Sequence, residues 1–208
     1  MNTALKKKPS QKRSQERVGK ILRSCSKLLE EDGLQGLTMP KLAKAAEVSV
    51  GSLYQYFDNK QAVMQALYED YLAALRYQIT DFLKNIEQHP HWKEGIAHLL
   101  ERVFKAEQEG GPLAEINQAL KLYPELEALD QRHSEEVSEL MIQALKHYRF
   151  PGTKTQLKEL VFFSYSINIG TWSYRTRYHN ARQLKQSNRW ELLANIAVLE
   201  DYLESFKQ

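Results

Sequence analysis

The sequence predicts an all-α protein, with a small N-terminal three-helix domain built on a helix-turn-helix and a larger C-terminal helical domain. Three observations carry this. Apolar residues recur at spacings of three and four and almost never two, which is the period of a helix face. Six prolines and nine glycines in 208 residues leave long stretches uninterrupted. Residues 38–57 hold two short amphipathic segments, each preceded by a capping side chain and joined by a turn.

A first helix is expected from about Gln11 to Asp32. Val18, Ile21, Leu22, Cys25, Leu28 and Leu29 form one face, and Gly33 is the stop signal. Thr38 reads as an N-cap with Pro40 near the first helical position, opening a short helix through Leu42, Ala43 and Ala46. Ser49 reads as a second N-cap for Val50 to Phe57, which ends in the turn Asp58-Asn59. A long helix with Val63, Leu67, Tyr71, Leu75, Ile79, Phe82 and Ile86 on one face then runs from Lys60 to His89-Pro90, and the second domain begins within it. Further helices are expected at about 92–109 and 112–122, separated by Gly110-Gly111-Pro112, and at 125–149, opened by Pro124 and closed by Pro151-Gly152. The last two are expected at roughly 153–178 and 188–206.

Composition narrows the class. With 42% apolar, 10% aromatic and 26% charged residues, the chain can bury a core. Its single cysteine, Cys25, allows no intrachain disulfide and no multi-thiolate metal site. No run of about 18 apolar residues is present, and the basic N-terminus lacks the apolar stretch of a secretory signal. A soluble cytoplasmic protein with no membrane partner and no cofactor is the expectation. Charge is unevenly spread: residues 1–60 hold 12 Lys+Arg against 6 Asp+Glu, and residues 61–208 hold 17 against 20. Nine of the basic residues fall within the first 27, opposed only by Glu16. That is the footprint of a nucleic-acid contact, although charge alone leaves a solubilising tail open.

In the helix-turn-helix reading, Leu42, Ala43 and Ala46 face the core, Val48 plugs the turn, and Leu53 with Phe57 anchors the second helix. Val50, Gly51, Ser52, Tyr54, Gln55 and Tyr56 are left to face outward. With Ile21-Leu22, Glu31-Asp32-Gly33, Leu37-Thr38-Met39, Leu42-Ala43, Val48-Ser49, Gly51-Ser52-Leu53-Tyr54-Gln55-Tyr56-Phe57 and Asn59-Lys60, the stretch Arg17 to Val63 resembles the DNA-binding domain of the TetR family of transcriptional regulators. One departure is Glu47, where the family usually has glycine. A positive φ at that turn would cost a non-glycine residue about 1 kcal/mol.

The resemblance implies a basic arm over 1–10, a DNA-binding domain over 11–60, and a ligand-binding and dimerisation domain over 61–208. Thr38 and Lys60 would meet phosphates, with Tyr54 and Tyr56 on phosphate and sugar, and Lys41 and Ser49 would belong to the same DNA-binding set. Val50, Gly51 and Ser52 would approach base edges, and Gln55 can pair with adenine. Lys6 to Arg13 would form an arm reaching the minor groove or backbone. Double-stranded DNA, a second copy of the chain and a small-molecule effector are the implied partners.

In the C-terminal half, Leu192, Ile196, Leu199, Leu203 and Phe206 make a narrow 4-3-4-3 seam, and Leu160 to Tyr174 is apolar on nearly every side. A four-helix bundle across a two-fold axis is expected, through Phe163, Ser166, Gly170, Leu192, Ile196, Leu199 and Leu203. The candidate pocket residues Trp92, His98, Phe104, Tyr123, Met141, Phe162, Tyr165 and Trp172 suggest an apolar or flat ligand, with core packing the alternative for each. The basic run Arg175, Arg177, Arg182, Lys185 and Arg189, free of acids, reads as a solvated interhelical loop, with an anion site the alternative.

Catalytic motifs are missing from the sequence: it has no Gly-rich phosphate loop, no H-E-x-x-H and no G-x-S-x-G, and its six histidines lack metal-ligand spacing. The expected function is a homodimeric repressor that binds a palindromic operator and is released by a small, largely apolar or aromatic ligand. The alternative is a ligand-independent architectural DNA binder on the same fold.

Overall fold

The computed structural model describes residues 12–109, 111–178 and 180–207. The basic arm over 1–10 lies outside them. The described residues are helical, with α1 at Lys12–Gly36, α2 at Met39–Ala45, α3 at Val50–Tyr54, α4 at Lys60–Lys84, α5 at Trp92–Glu109, α6 at Leu113–Leu120, α7 at Pro124–His147, α8 at Lys154–Arg177 and α9 at Ala181–Ser205. A single 3-10 turn, Ile86–Gln88, follows α4. Gly33 interrupts α1 with φ 66°, as its stop signal predicts, and one more helical turn follows before Leu37.

The chain divides into two units within α4, between Ala73 and Ala74. The N-terminal unit also takes residues 110–129, so it is larger than the expected 11–60. Its core gathers Ile21, Cys25 and Leu29 of α1, Leu42 and Ala43 of α2, Leu53, Phe57, Val63 and Met64, with Ile116 of α6 and Leu126 of α7. Burial pushes the Cys25 thiol up to about 12, which fits a small core residue.

The second unit comprises residues 74–109 and 130–208. One cluster is built on Ile79, Phe82, Ile86, Leu99, Val137 and Ala144. The other holds Ile96, Ile142, Leu145, Phe150, Leu157, Leu160, Val161 and Leu199. α8 opens on a capping box in which Thr153 Oγ1 accepts from Gln156 N and Gln156 Oε1 accepts from Thr153 N.

The structure corrects the reading of the last two helices. α9 starts at Ala181, where Asn180 Oδ1 accepts from Gln183 N at 3.0 Å, so all five residues of the basic run lie on helices. Only residues 178–180 separate α8 from α9. The polar first turns of α9 hide its start from an apolar pattern. Arg175 is not solvated at all: it is buried between two carboxylates.

Candidate DNA-binding face and effector cavity

Two capping side chains set the helix-turn-helix. Thr38 Oγ1 accepts from Lys41 N at 3.4 Å and starts α2, while Ser49 Oγ accepts from Ser52 N at 3.0 Å and starts α3. Between them the chain closes a Schellman turn. Val48 N donates to Ala43 O at 3.0 Å and Glu47 N to Lys44 O at 3.1 Å. This motif requires a left-handed residue at its centre, and Glu47 stands there with φ 53°. The expected strain is therefore real. Glu47 also pairs with Lys20, whose ammonium holds its carboxyl below the usual carboxylate range. Glu47→Gly is expected to raise stability by up to about 1 kcal/mol, read as a higher denaturation midpoint at unchanged slope.

α3 is only five residues long, so its position depends on Leu53 and Phe57, both fully buried. Val50 and Tyr54 are 41% and 45% exposed, and Gly51 and Gln55 share that outward side. A Cβ built on Gly51 meets nothing within 4 Å, so the surface in front of α3 is open. Ser52 is half-buried. Tyr56 corrects the outward reading: the helix ends at Tyr54, and the turn that follows swings Tyr56 inward to 6% exposure, with its hydroxyl 2.9 Å from Ser14 Oγ. Lys60 Nζ donates to Leu34 O at 3.1 Å, which ties the start of α4 to the end of α1. Lys41 is exposed, 3.4 Å from Asp32.

Sequence reasoning left Arg17 and Lys20 among the general basic excess. The structure places them along a groove shared with Val48, Ser49 and Ser52, directly beside the α3 cap. Their signal is the spacing of Arg13, Arg17 and Lys20 along one face of α1.

The second unit holds a partly open cavity of about 110 Å³ between its two apolar clusters. Met141 and Tyr165 line it, together with Leu75, Ile79, Leu99 and His133. The other six aromatic and histidine candidates do not. Trp92 packs edge-on to Phe150, His98 stacks on His89 at 4.3 Å, Phe104 lies 5.3 Å from the Arg175 guanidinium, and Phe162 lies beneath Lys158. Trp172 is half-buried, with an indole N–H that finds no acceptor. Tyr123 belongs to the other unit. Aromatic content did not identify the wall because helical phase decides which side chain faces in. His133 was missed, although its spacing from Leu126, Leu129 and Val137 places it on the inward row.

Beside the cavity lies a buried ionic cluster. Arg175 donates through Nη1 to Glu191 Oε2 and through Nη2 to Glu107 Oε2, each at 2.6 Å. Asn168 Nδ2 donates to Glu191 Oε1 at 2.8 Å, and Thr171 Oγ1 also donates to Glu191. Burial is the main cause that raises the Glu107 carboxyl to about 7; Glu191 adds to it and Arg175 opposes it.

The expected α9 seam is corrected as well. Leu199 is 5% exposed and lines the cavity, and Ile196 and Leu203 pack on the same core. Leu192 is half-buried beside Phe104 in a surface groove. The outward apolar residues of α9 are Trp190 and Leu193, while α8 presents Phe163, Ser166, Ile169 and Gly170. No group of His, Cys, Asp and Glu that could hold a metal occurs among the described residues, and no described helix is long and apolar enough to cross a membrane.

Comparison with known proteins agrees with this geometry. The sequence model of the family described as bacterial regulatory proteins, tetR family, matches residues 21–67. Over 62 residues the chain is 44% identical to the nucleoid occlusion factor SlmA of Actinobacillus pleuropneumoniae, covering 30% of each chain. Over 92 residues it is 30% identical to the transcriptional regulator HbdR of an Aromatoleum strain, covering 44% of this chain and 36% of that one. The chain thus matches only about a third of the length of these curated relatives. A TetR-family regulator structure from Syntrophomonas wolfei superposes with a TM-score of 0.71 at 16% identity, over 89% of this chain and 96% of that one, which shows a shared fold. Residues 21–67 thus resemble the tetR family of bacterial regulatory proteins, and the chain over most of its length shares the fold of TetR-family regulator structures.

Proposed function

We propose that this chain is a homodimeric transcriptional repressor that reads a palindromic operator through α3 and is released by a small, largely apolar effector. The outward set Val50, Gly51, Tyr54 and Gln55 on a short helix held by buried anchors carries this reading. Nothing in the fold of the N-terminal unit requires those side chains to be exposed. Thr38, Lys41, Ser49 and Lys60 flank them with hydroxyls and ammonium groups suited to phosphates, and half-buried Ser52 sits at the edge of the set. Tyr56 is assigned to support, since its ring is buried.

A reading helix this short makes few base contacts, so useful affinity requires two of them on a two-fold axis. The outward residues Phe163, Ser166, Ile169 and Gly170 of α8, with Trp190 and Leu193 of α9, fit a self-complementary bundle face. The apolar cavity favours an apolar or aromatic effector. Such a ligand shifts the protein toward a weakly binding conformer only by its difference in affinity for the two states. α4 contributes residues to both units and is the natural element to carry that shift.

Fluorescence anisotropy on the gene's own upstream DNA, with excess nonspecific competitor, tests the reading. Wild type is expected to saturate with two protomers per site. Tyr54→Ala is expected to weaken binding by about tenfold or more, while stability stays within about 0.5 kcal/mol. An equal loss of folding would make Tyr54 a core residue, and wild-type binding no tighter than to competitor would remove the operator. The second reading, an architectural DNA binder that answers to no ligand, is favoured by one observation. At about 110 Å³ the cavity is smaller than the roughly 300 Å³ usual for ligand sites.

A further inference from the structure

The cavity wall changes character along α8. Leu160 and Val161 are apolar, while one turn on, about 5.4 Å further, stand Ser164 and Tyr165, and then Asn168. On α9, Leu199 shares the apolar cluster of Leu160 and Val161. Asn195 stands one turn earlier and donates to Glu191 O at 2.9 Å, next to the Asn168 contact with the same residue. The polar end is completed by His133, whose ring lies 6.4 Å from that of Tyr165.

The donors at this end can be assigned. Asn168 is committed to Glu191. His133 Nδ1 lies 3.1 Å from Arg76 Nη1, and because a guanidinium only donates, Nδ1 accepts and the ring proton sits on Nε2. Ser164 is different from its neighbours. Ser166 on the same helix donates to the carbonyl of Phe162 at 2.9 Å, whereas Ser164 Oγ is buried and makes no hydrogen bond. A buried hydroxyl without a partner is costly unless a ligand supplies one.

A charged headgroup does not fit. No lysine or arginine lines the cavity, and Arg76 behind His133 is held by Glu136 at 3.0 Å. Beyond Asn168 the Arg175 guanidinium is already paired with Glu107 and Glu191, so it offers an anion no uncompensated positive charge. The volume, about 110 Å³, is below the ~150 Å³ of an engineered apolar cavity that takes benzene.

We propose that this cavity holds an uncharged molecule no larger than about benzene, hydrocarbon except for one oxygen that accepts a hydrogen bond from Ser164. The inference rests on the cavity being an effector site. The test is ligand-observed NMR of the full chain with carbonyl-labelled cyclopentanone, methylcyclopentane and cyclopentanecarboxylate, in wild type and Ser164→Ala. Cyclopentanone is expected to bind saturably and the carboxylate about tenfold more weakly or worse. Ser164→Ala should weaken cyclopentanone about five- to tenfold, move its bound carbonyl resonance upfield, and leave methylcyclopentane unchanged. An unmoved resonance and equal affinity in the variant would overturn the proposal, as would carboxylate binding as tight as that of the ketone. Methylcyclopentane binding alone would spare the effector site but end the oxygen recognition; no binding by any of the three would remove the effector site itself. Ser164→Cys, which nearly keeps the volume with a weaker donor, provides the same reading should the alanine variant fold poorly.

Discussion

Arg175→Leu is expected to destabilise the protein by about 3–5 kcal/mol, measured by chemical denaturation. Arg175, Glu107 and Glu191 are 4%, 3% and 1% exposed, so leucine would leave the Glu191 carboxylate out of water without its cation, beside a Glu107 that burial keeps protonated to about pH 7. The loss reports the stranded charge rather than the worth of the ion pairs. The triple variant Arg175→Met, Glu107→Leu, Glu191→Leu should therefore recover most of it. A single-variant loss below about 1 kcal/mol would mean that water reaches the cluster.

The same cluster sets a pH dependence. In the folded chain Glu107 keeps its proton to about pH 7, whereas the unperturbed value is 4.5. Its contribution to stability is thus fully present below about pH 4.5 and is lost as pH rises to about 7. His133 acts in the opposite sense: burial, aided by Arg76, lowers it from 6.5 to about 3, so its contribution is present above 6.5 and is lost as pH falls. Comparing wild type with Glu107→Gln cancels the histidine. The wild type should lose more stability than the variant between pH 5 and pH 8, and parallel curves would place the titration elsewhere.

Phe57→Ala is expected to cost about 3–5 kcal/mol and to abolish operator binding at temperatures where the N-terminal unit then unfolds. Phe57 is fully buried, and its backbone N–H donates to Leu53 O at 3.0 Å in the turn that ends α3. A five-residue helix has too few internal hydrogen bonds to stand alone, so its position comes from these two anchors. Differential scanning calorimetry with anisotropy at low temperature separates the effects. DNA binding that survives at full affinity in the unfolded unit would contradict the anchoring role.

The N-terminal unit was legible because its signals are local. Thr38 and Ser49 cap within three residues of themselves, and Leu53 and Phe57 are spaced for one helix face. The positive φ at Glu47 follows from the two adjoining helices and the single-turn connection between them. Tyr56 was misread because α3 ends three residues earlier than the apolar pattern implies, and leaving the helix reverses the direction of its side chain.

The second unit was legible in its elements and much less in their faces. α5 was bounded correctly by Pro90 and the Gly110-Gly111-Pro112 break, yet two of eight expected wall residues reach the cavity. The Leu192-to-Phe206 seam describes a helix with an apolar face, and nothing in one chain's periodicity says whether that face meets its own domain or a second copy. The packing turns Leu199 inward.

Periodicity, caps and the Leu53-Tyr54-x-Tyr56-Phe57 run by themselves determined most of the helix boundaries, the helix-turn-helix and the family resemblance of the N-terminal segment. They are set by contacts within a few residues, which the order of the sequence contains. Only the tertiary structure decided that Arg175 joins Glu107 across 68 positions, that His133 and Ser164 meet at one end of a cavity, and which face of α9 is covered. Those are long-range pairings, where burial removes water and makes each unpaired polar atom count, and no spacing along the chain encodes them.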